Sequence, residues 1–275
     1  MPPHIFPRIA RFVLILGLIL AWRGQATSGI ITIETTTRVK VTGNRLKVCV
    51  TPSNKGTARA HNLQVHVAFL GDEEQGPVIT KLDPGDSETV CFKKTFSGIK
   101  KGRYPLRVQV DFHDANQYPF SALSGSTFYV GEDVNPDLGA LGRDMELHKR
   151  GRLVIQVTNM AAEARKIKAG LMLPKEFSCP NPGETFQIPS RSEKALTFEI
   201  QNFSALPGAR YPVFCFLEYD HNDRHHTALV RALVEITKKE NFFRRNKWVW
   251  IGLTLFLTLI LVTFVVKGRG KRNAA

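Results

Sequence analysis

The chain has only four cysteines and three tryptophans among its 275 residues. No two cysteines stand in Cys-x-x-Cys spacing, so the usual structural zinc sites and dithiol redox motifs have no foothold. There is no Gly-x-Ser-x-Gly elbow, no Walker-type phosphate loop and no Rossmann glycine run after a strand. Serine hydrolases, phosphate-loop enzymes and dinucleotide-binding folds therefore lose their ordinary signatures. The body of the chain also lacks the helical crossovers that a parallel sheet needs. Long hydrophobic runs are confined to the two ends.

What is present is a duplication. Arg103-Tyr104-Pro105 recurs as Arg210-Tyr211-Pro212, and Arg45-Leu46 recurs as Arg152-Leu153, both at an offset of 107 positions. Two blocks sharing one offset argue for a tandem copy of a single domain.

The ends read as an address. Arg8 and Arg11 precede an apolar stretch from Phe12 to Trp22, too short to cross ~30 Å of hydrocarbon as a helix. Gly24-Gln25-Ala26 offers small residues at the cleavage positions, so residues 1–26 are predicted to be a signal peptide; the competing reading is an uncleaved anchor. Trp248 to Val266 is nineteen residues without charge, long enough to span a bilayer, with Trp248 and Trp250 at one edge. Lys267, Arg269, Lys271 and Arg272 follow it. The pattern predicts a single-pass type I membrane protein, with its body exported to a bacterial periplasm or cell exterior and residues 267–275 forming a short cytoplasmic tail.

Charge follows the same division. Of the formal +14, three arginines lie in residues 1–26 and seven lysines or arginines in residues 244–275, with no acid in either, which leaves +4 for the exported body. Each copy is near neutral with signs interspersed, which speaks against nucleic acid as a partner.

Residues 27–133 and 134–243 each suit one core of roughly 100 residues. Leu46, Val48 and Val50 alternate with Lys47 and Cys49, and Leu106, Val108 and Val110 alternate with Arg107 and Gln109. In the second copy Leu153, Ile155 and Val157 repeat the scheme. Period-two alternation means strands with one face inward. Turn signals such as Thr42-Gly43-Asn44, Asn54-Lys55-Gly56 and Asp83-Pro84-Gly85-Asp86 separate the runs. The expected fold is all-β: two tandem immunoglobulin-like β-sandwiches plus a C-terminal transmembrane helix. The junction falls at residues 131–144, short enough to restrict the angle between domains.

Each copy carries a Gly-Arg-Tyr-Pro or Ala-Arg-Tyr-Pro stretch, then an alternating strand ending in an acidic-aromatic pair, Asp111-Phe112 and Glu218-Tyr219. With the early hairpin from Leu46 to Gly56, this resembles the bacterial immunoglobulin-like modules called CARDB and NEW3. The second copy departs in having Ala209 for the glycine and in lacking the Asn-x-Gly turn. The resemblance implies an extracellular spacer or adhesion fold rather than a chemistry.

Two cysteines fall in each copy, and in an exported chain an even count favours disulfides within domains. Cys49 and Cys91 lie on strands that can be neighbours in a sandwich. Cys215 shares the register of Val108 and points inward, while Cys179 sits in the loop Ser178-Cys179-Pro180-Asn181-Pro182 and could fold onto it. The expected bridges are Cys49–Cys91 and Cys179–Cys215, against buried free thiols as the alternative.

The densest polar cluster is Asp220-His221-Asn222-Asp223-Arg224-His225-His226. It could present metal ligands, but the first copy has Asp114-Ala115-Asn116-Gln117 there, an ordinary turn, and the turn reading is preferred. Asp72-Glu73-Glu74 reads as a solvated loop. Asn202-Phe203-Ser204 is a glycosylation sequon, meaningful only in a eukaryotic secretory route. No catalytic residue, metal site or cofactor is expected. Tyr118, Phe120, His221, His225 and His226 are the candidate contact-loop residues. The leading expectation is a non-enzymatic accessory or scaffold subunit that binds another envelope or membrane protein. The alternative is a membrane-anchored carbohydrate-binding or adhesion module with glycan contacts at Tyr118, Phe120 and the His-rich loop.

Overall fold

Among the described residues, alternation along the chain becomes sixteen strands. The structure, a computed structural model, describes residues 29–237 together with 246, 248–253 and 256. In the N-terminal half the strands are β1 (Ile33–Thr42), β2 (Arg45–Asn54), β3 (Ala60–Phe69), β4 (Asp72–Leu82), β5 (Val90–Thr95), β6 (Lys101–His113) and β7 (Pro119–Val130). In the C-terminal half they are β8 (Leu138–Gly142), β9 (Met145–Leu147), β10 (Arg150–Asn159), β11 (Arg165–Met172), β12 (Phe177–Ser178), β13 (Gly183–Ile188), β14 (Glu193–Asn202), β15 (Arg210–His221) and β16 (Arg224–Ile236).

Each half packs two sheets face to face, consistent with a β-sandwich. The first places the sheet β1-β2-β5 over β4-β3-β6-β7. Leu46, Val48 and Val50 from one sheet meet Leu63, Val65, Leu106, Val108 and Val110 from the other, all of them buried. The second places β12-β14-β10-β8 over β13-β11-β15-β16. Its core holds Leu153, Ile155 and Val157, the register partners of Leu46, Val48 and Val50. Burying these branched side chains contributes roughly 1.5–3 kcal/mol each before entropy is counted.

The duplication extends to a polar device that the sequence reading passed over. Asn54 and Asn159, each fully buried, close β2 and β10. Asn54 Nδ2 donates to the carbonyls of Ala58 and Leu82, and its Oδ1 accepts from the Gly56 amide. Asn159 does the same with Glu163, Ile188, Pro189 and the Ala161 amide. One side chain thus satisfies the backbone of a whole loop, which a buried amide must do to offset its desolvation. The Asn-x-Gly motif of the first copy is the visible part of this device; the second copy keeps the asparagine and drops the glycine.

Asp72-Glu73-Glu74 is not a loop, as expected from its charge, but the opening of β4, paired to Phe69, Ala68 and Val67. Strand alternation leaves the polar side chains of this edge in solvent, so acidity and strand are compatible. Residues 1–26 lie outside the described residues, and so does most of the stretch from Trp248 to Val266. Residues 248–253 are helical, and among the described residues no helix is long and apolar enough to cross a membrane.

Candidate functional site at the junction of the two sandwiches

Sheet continuity brings the halves together. The start of β16 runs parallel to the start of β6, pairing Arg224 with Lys101 and His225 with Gly102. This joins the sheets β4-β3-β6-β7 and β13-β11-β15-β16, with β9 added in parallel to the end of β16, into one of nine strands. Gly102 permits the approach: its φ is +137°, and a Cβ there would lie 2.0 Å from the His225 carbonyl oxygen. The counterpart Ala209 faces no second sandwich, so nothing there demands a glycine. The motif difference between the copies is therefore a consequence of the junction.

A small apolar centre lies beside that link. Phe214 and Phe216 of β15 pack with Leu123 of β7, flanked by Met172 and Leu229. Gly125 makes room, since a Cβ on it would come within 2.8 Å of Phe214. Phe214 and Phe216 alternate with Cys215, which points the other way into the C-terminal core.

Polar groups ring the centre. On one side the Arg107 guanidinium lies 4.8 Å over the Phe216 ring and donates to Glu218 Oε1 at 3.1 Å. His225 stacks on Tyr104 with ring centroids 4.3 Å apart. Its Nδ1 meets Asp220 Oδ1 at 2.8 Å, and its Nε2 faces Glu218 Oε2 at 3.4 Å. Lys100 reaches Asp220 at 2.9 Å from the other sandwich. Thr227 Oγ1 donates to the Arg103 carbonyl. On the opposite side Glu176, only 1% exposed, accepts hydrogen bonds from the Ser121 amide at 3.0 Å and the Ser121 hydroxyl at 2.7 Å. Asp111 holds Lys175 at 2.5 Å and His66 at 2.9 Å.

The charges respond to one another. Burial pulls the His225 pKa down, but Glu218 and Asp220 outweigh it and hold it above its ordinary value. Burial raises Glu218, yet His225 and Arg107 keep it below the usual carboxylate range. Asp220 is lowered in the same way, with burial opposed by Lys100 and His225. Burial pushes Tyr104 up to about 12, so its phenol stays protonated and donates to the Lys100 carbonyl. Burial lowers His226, which stacks on Tyr219 at 4.8 Å.

The linker is pinned from both sides. Arg103 binds Asp133 and Asn135, the Asp137 amide donates to Tyr219 Oη at 2.7 Å, and Arg165 reaches Asp137. A short linker so held restricts the angle between the two sandwiches.

Of the candidate contact residues, Tyr118, His225 and His226 reach the junction or its linker, while Phe120 and His221 pack within their own sandwiches. Tyr118 is 41% exposed, and its hydroxyl donates to the Ser204 carbonyl of the other sandwich. Phe120 is half-buried against Phe112. His221 lies 4.0 Å from Glu163, and alternation sends His225 and His226 to opposite faces of β16. The three histidines therefore do not converge. Asn222 and Asp223, at φ of 49° and 56°, make the tight hairpin turn between β15 and β16.

The cysteines divide. Cys49 and Cys91 form a disulfide between directly paired positions of β2 and β5. The expected Cys179–Cys215 bridge does not form: both are free thiols. Cys215 is committed to the core of β15, where burial lifts its pKa to about 12. Cys179 remains in its Pro-rich loop, partly buried beside the same core, without bonding to it.

Arg107, Glu218, Ser121 and Glu176 were not singled out from sequence. Only the repeated acidic-aromatic pair hinted at Glu218, and cross-domain pairing leaves no local pattern.

No curated protein matches the chain. Among solved structures it is similar to red sea bream transglutaminase, at 11% identity and a TM-score of 0.27 over 76% of this chain and 31% of that one. A Salmonella alpha-2-macroglobulin mutant gives 11% identity and 0.31 over 75% and 16%. Trypsin-activated alpha-2-macroglobulin from Escherichia coli gives 12% and 0.30 over 75% and 18%. The chain spans less than a third of the length of each of these proteins. Residues 30–115 match the CARDB family, which supports an immunoglobulin-like fold for the N-terminal sandwich and, for its role, a non-enzymatic binding or scaffold domain.

Proposed function

We propose that this chain is a non-enzymatic accessory or scaffold subunit, anchored in a bacterial envelope as a single-pass type I protein, that presents its two sandwiches to another envelope or membrane protein. The observation that carries the reading is the junction. A shared sheet, an apolar centre and a pinned linker make one rigid body of two domains, and rigidity is what a scaffold contributes to a complex. The clefts that line this junction are open and shallow; one, of about 210 Å³, is lined by Phe69, Glu73, Arg107, Lys168, Glu218 and His225. Arg107, Glu218 and His225 are already joined in one chain of ion pairs, which suits a structural seam better than a reaction centre.

The contact surface on this reading is the apolar rim where the sandwiches meet. Tyr118, Phe203 and Leu206 are 41%, 72% and 47% exposed, and Tyr118 touches the loop that carries the other two. Exposed apolar side chains on a fixed frame are suited to anchor a partner. The nineteen uncharged residues from Trp248 to Val266 supply the proposed anchor.

A photo-crosslinking residue placed at Phe203 in native membranes tests the reading. A single stoichiometric membrane companion, lost on Phe203→Ser and Tyr118→Ser substitution, is the expected result. A chain that crosslinks to nothing, with the same purification capturing no companion, overturns it.

A further inference from the structure

The near-neutral charge of the N-terminal sandwich hides a segregation that only strand register reveals. On the outer face of β1-β2-β5, Lys40 lies directly opposite Lys47, and Lys47 directly opposite Lys93. One row away Arg38 faces Cys49, and on the other side Arg45 faces Thr42 and Thr95. All five cations are exposed. None makes an ion pair with any described residue. Like charges directly opposite across strands are destabilising. Edge protection by lysine accounts for Lys40 and Lys93 on the edge strands β1 and β5, but not for Lys47 between them.

The second sandwich provides an internal comparison. Its corresponding strands set Arg152 against Glu199, Val154 against Thr197 and Gln156 against Ala195. There the outer face is mixed and mostly uncharged. The cationic lattice belongs to one copy alone, so the fold does not require it.

We propose that this face binds an acidic polysaccharide. Its cations recur every ~5 Å across strands and ~7 Å along them, a flat array for a polymer with repeating carboxylates. The flanking rows are hydroxyls: Thr36, Thr51 and Thr89 on one side, Thr42 and Thr95 on the other. Threonine both donates to and accepts from sugar hydroxyls. No aromatic side chain stands in these rows, so the stacking that holds single-stranded nucleic acid is missing. No apolar anchor stands there either, as the core of a protein interface requires. A bilayer reached by the chain's own C-terminus is disfavoured by direction. β16 runs about 36 Å from the junction at His225 to Ile236, which hydrogen-bonds Ala209 at the far end of the other sandwich.

The test uses the full chain in detergent and immobilised polygalacturonate, with its fully methyl-esterified form and phosphatidylglycerol vesicles as the other arms. The expected result is retention on polygalacturonate that falls steeply with added salt and is absent on the ester. Lys47→Glu with Lys93→Glu should weaken retention at least tenfold. The pair exchanges one like-charge contact for another between positions 47 and 93 and turns the contact of position 47 with Lys40 into an attractive one, so the row is no more repulsive than before, and circular dichroism checks the fold. Arg152→Glu on the equivalent face of the second sandwich should leave retention unchanged. Equal retention of the double variant, equal binding to the ester, or a preference for the vesicles each overturns the proposal.

Discussion

Asp111 and Glu218 hold the same register position in the two copies, and each pairs with a cation of the other sandwich. Asp111 holds Lys175 at 2.5 Å, and Glu218 holds Arg107 at 3.1 Å. A feature duplicated with the domain was thus used twice, in opposite directions, to close one junction.

Gly102 and Ala209 should respond in opposite ways to exchange. Gly102→Ala places a methyl group against the His225 backbone at a positive φ and should cost more than about 1 kcal/mol. The strain is relieved if β16 separates from β6, so X-ray scattering should show a longer molecule, with faster proteolysis near residues 131–137. Ala209→Gly should leave the scattering profile unchanged.

Stability of the junction should depend on pH with two limits. The His225 pKa is raised on folding, so its contribution is complete below about 6.5 and fades as pH rises through the folded value. Glu218 and Asp220 are lowered, so their contributions are present above about 4.5 and 3.8 and fade as pH falls through the folded values. The unfolding midpoint should therefore peak near pH 5–6.5. His225→Gln should flatten the alkaline limb, as read by calorimetry across pH; a limb of unchanged slope would contradict the assignment.

Asn54→Ala and Asn159→Ala should be near equals. Each strips a buried loop of its amide partner and should cost about 1–3 kcal/mol. Urea unfolding of the two variants, with fluorescence and circular dichroism as probes, measures both. An exposed asparagine such as Asn116 should cost far less on the same change.

The disulfide opposes the charge row beside it. Cys49–Cys91 ties β2 to β5 two residues along each strand from the paired Lys47 and Lys93. Closing a loop of 42 residues is worth about 4 kcal/mol in the chain-entropy model. Removing it by Cys49→Ser with Cys91→Ser should destabilise most at low ionic strength, where lysine repulsion is least screened. Titration of the unreduced, denatured protein should find Cys179 and Cys215 as thiols. In the folded protein Cys215 should not react, being buried and held protonated.

Residue order by itself determined the duplication, the strands and the inward faces. Leu46, Val48, Val50 and their partners Leu153, Ile155, Val157 lie in the cores because period-two alternation is a local property of the chain. It also placed Cys215 inward and put Cys49 and Cys91 on strands that can be neighbours, but the pairing of those strands in the register of a bridge was left to the fold, because alternation fixes a face and not a partner. What joins distant strands was left to the tertiary structure. Arg107 and Glu218, Ser121 and Glu176, and Tyr104 and His225 meet only because β6 and β16 align in parallel, and no spacing along the chain records that alignment. The row of Lys40, Lys47 and Lys93 is likewise invisible to net charge, because a sum over residues does not know which of them share a face. Backbone geometry, through Gly102 and Gly125, decided how closely the two sandwiches approach and hence which charges are paired and which remain free.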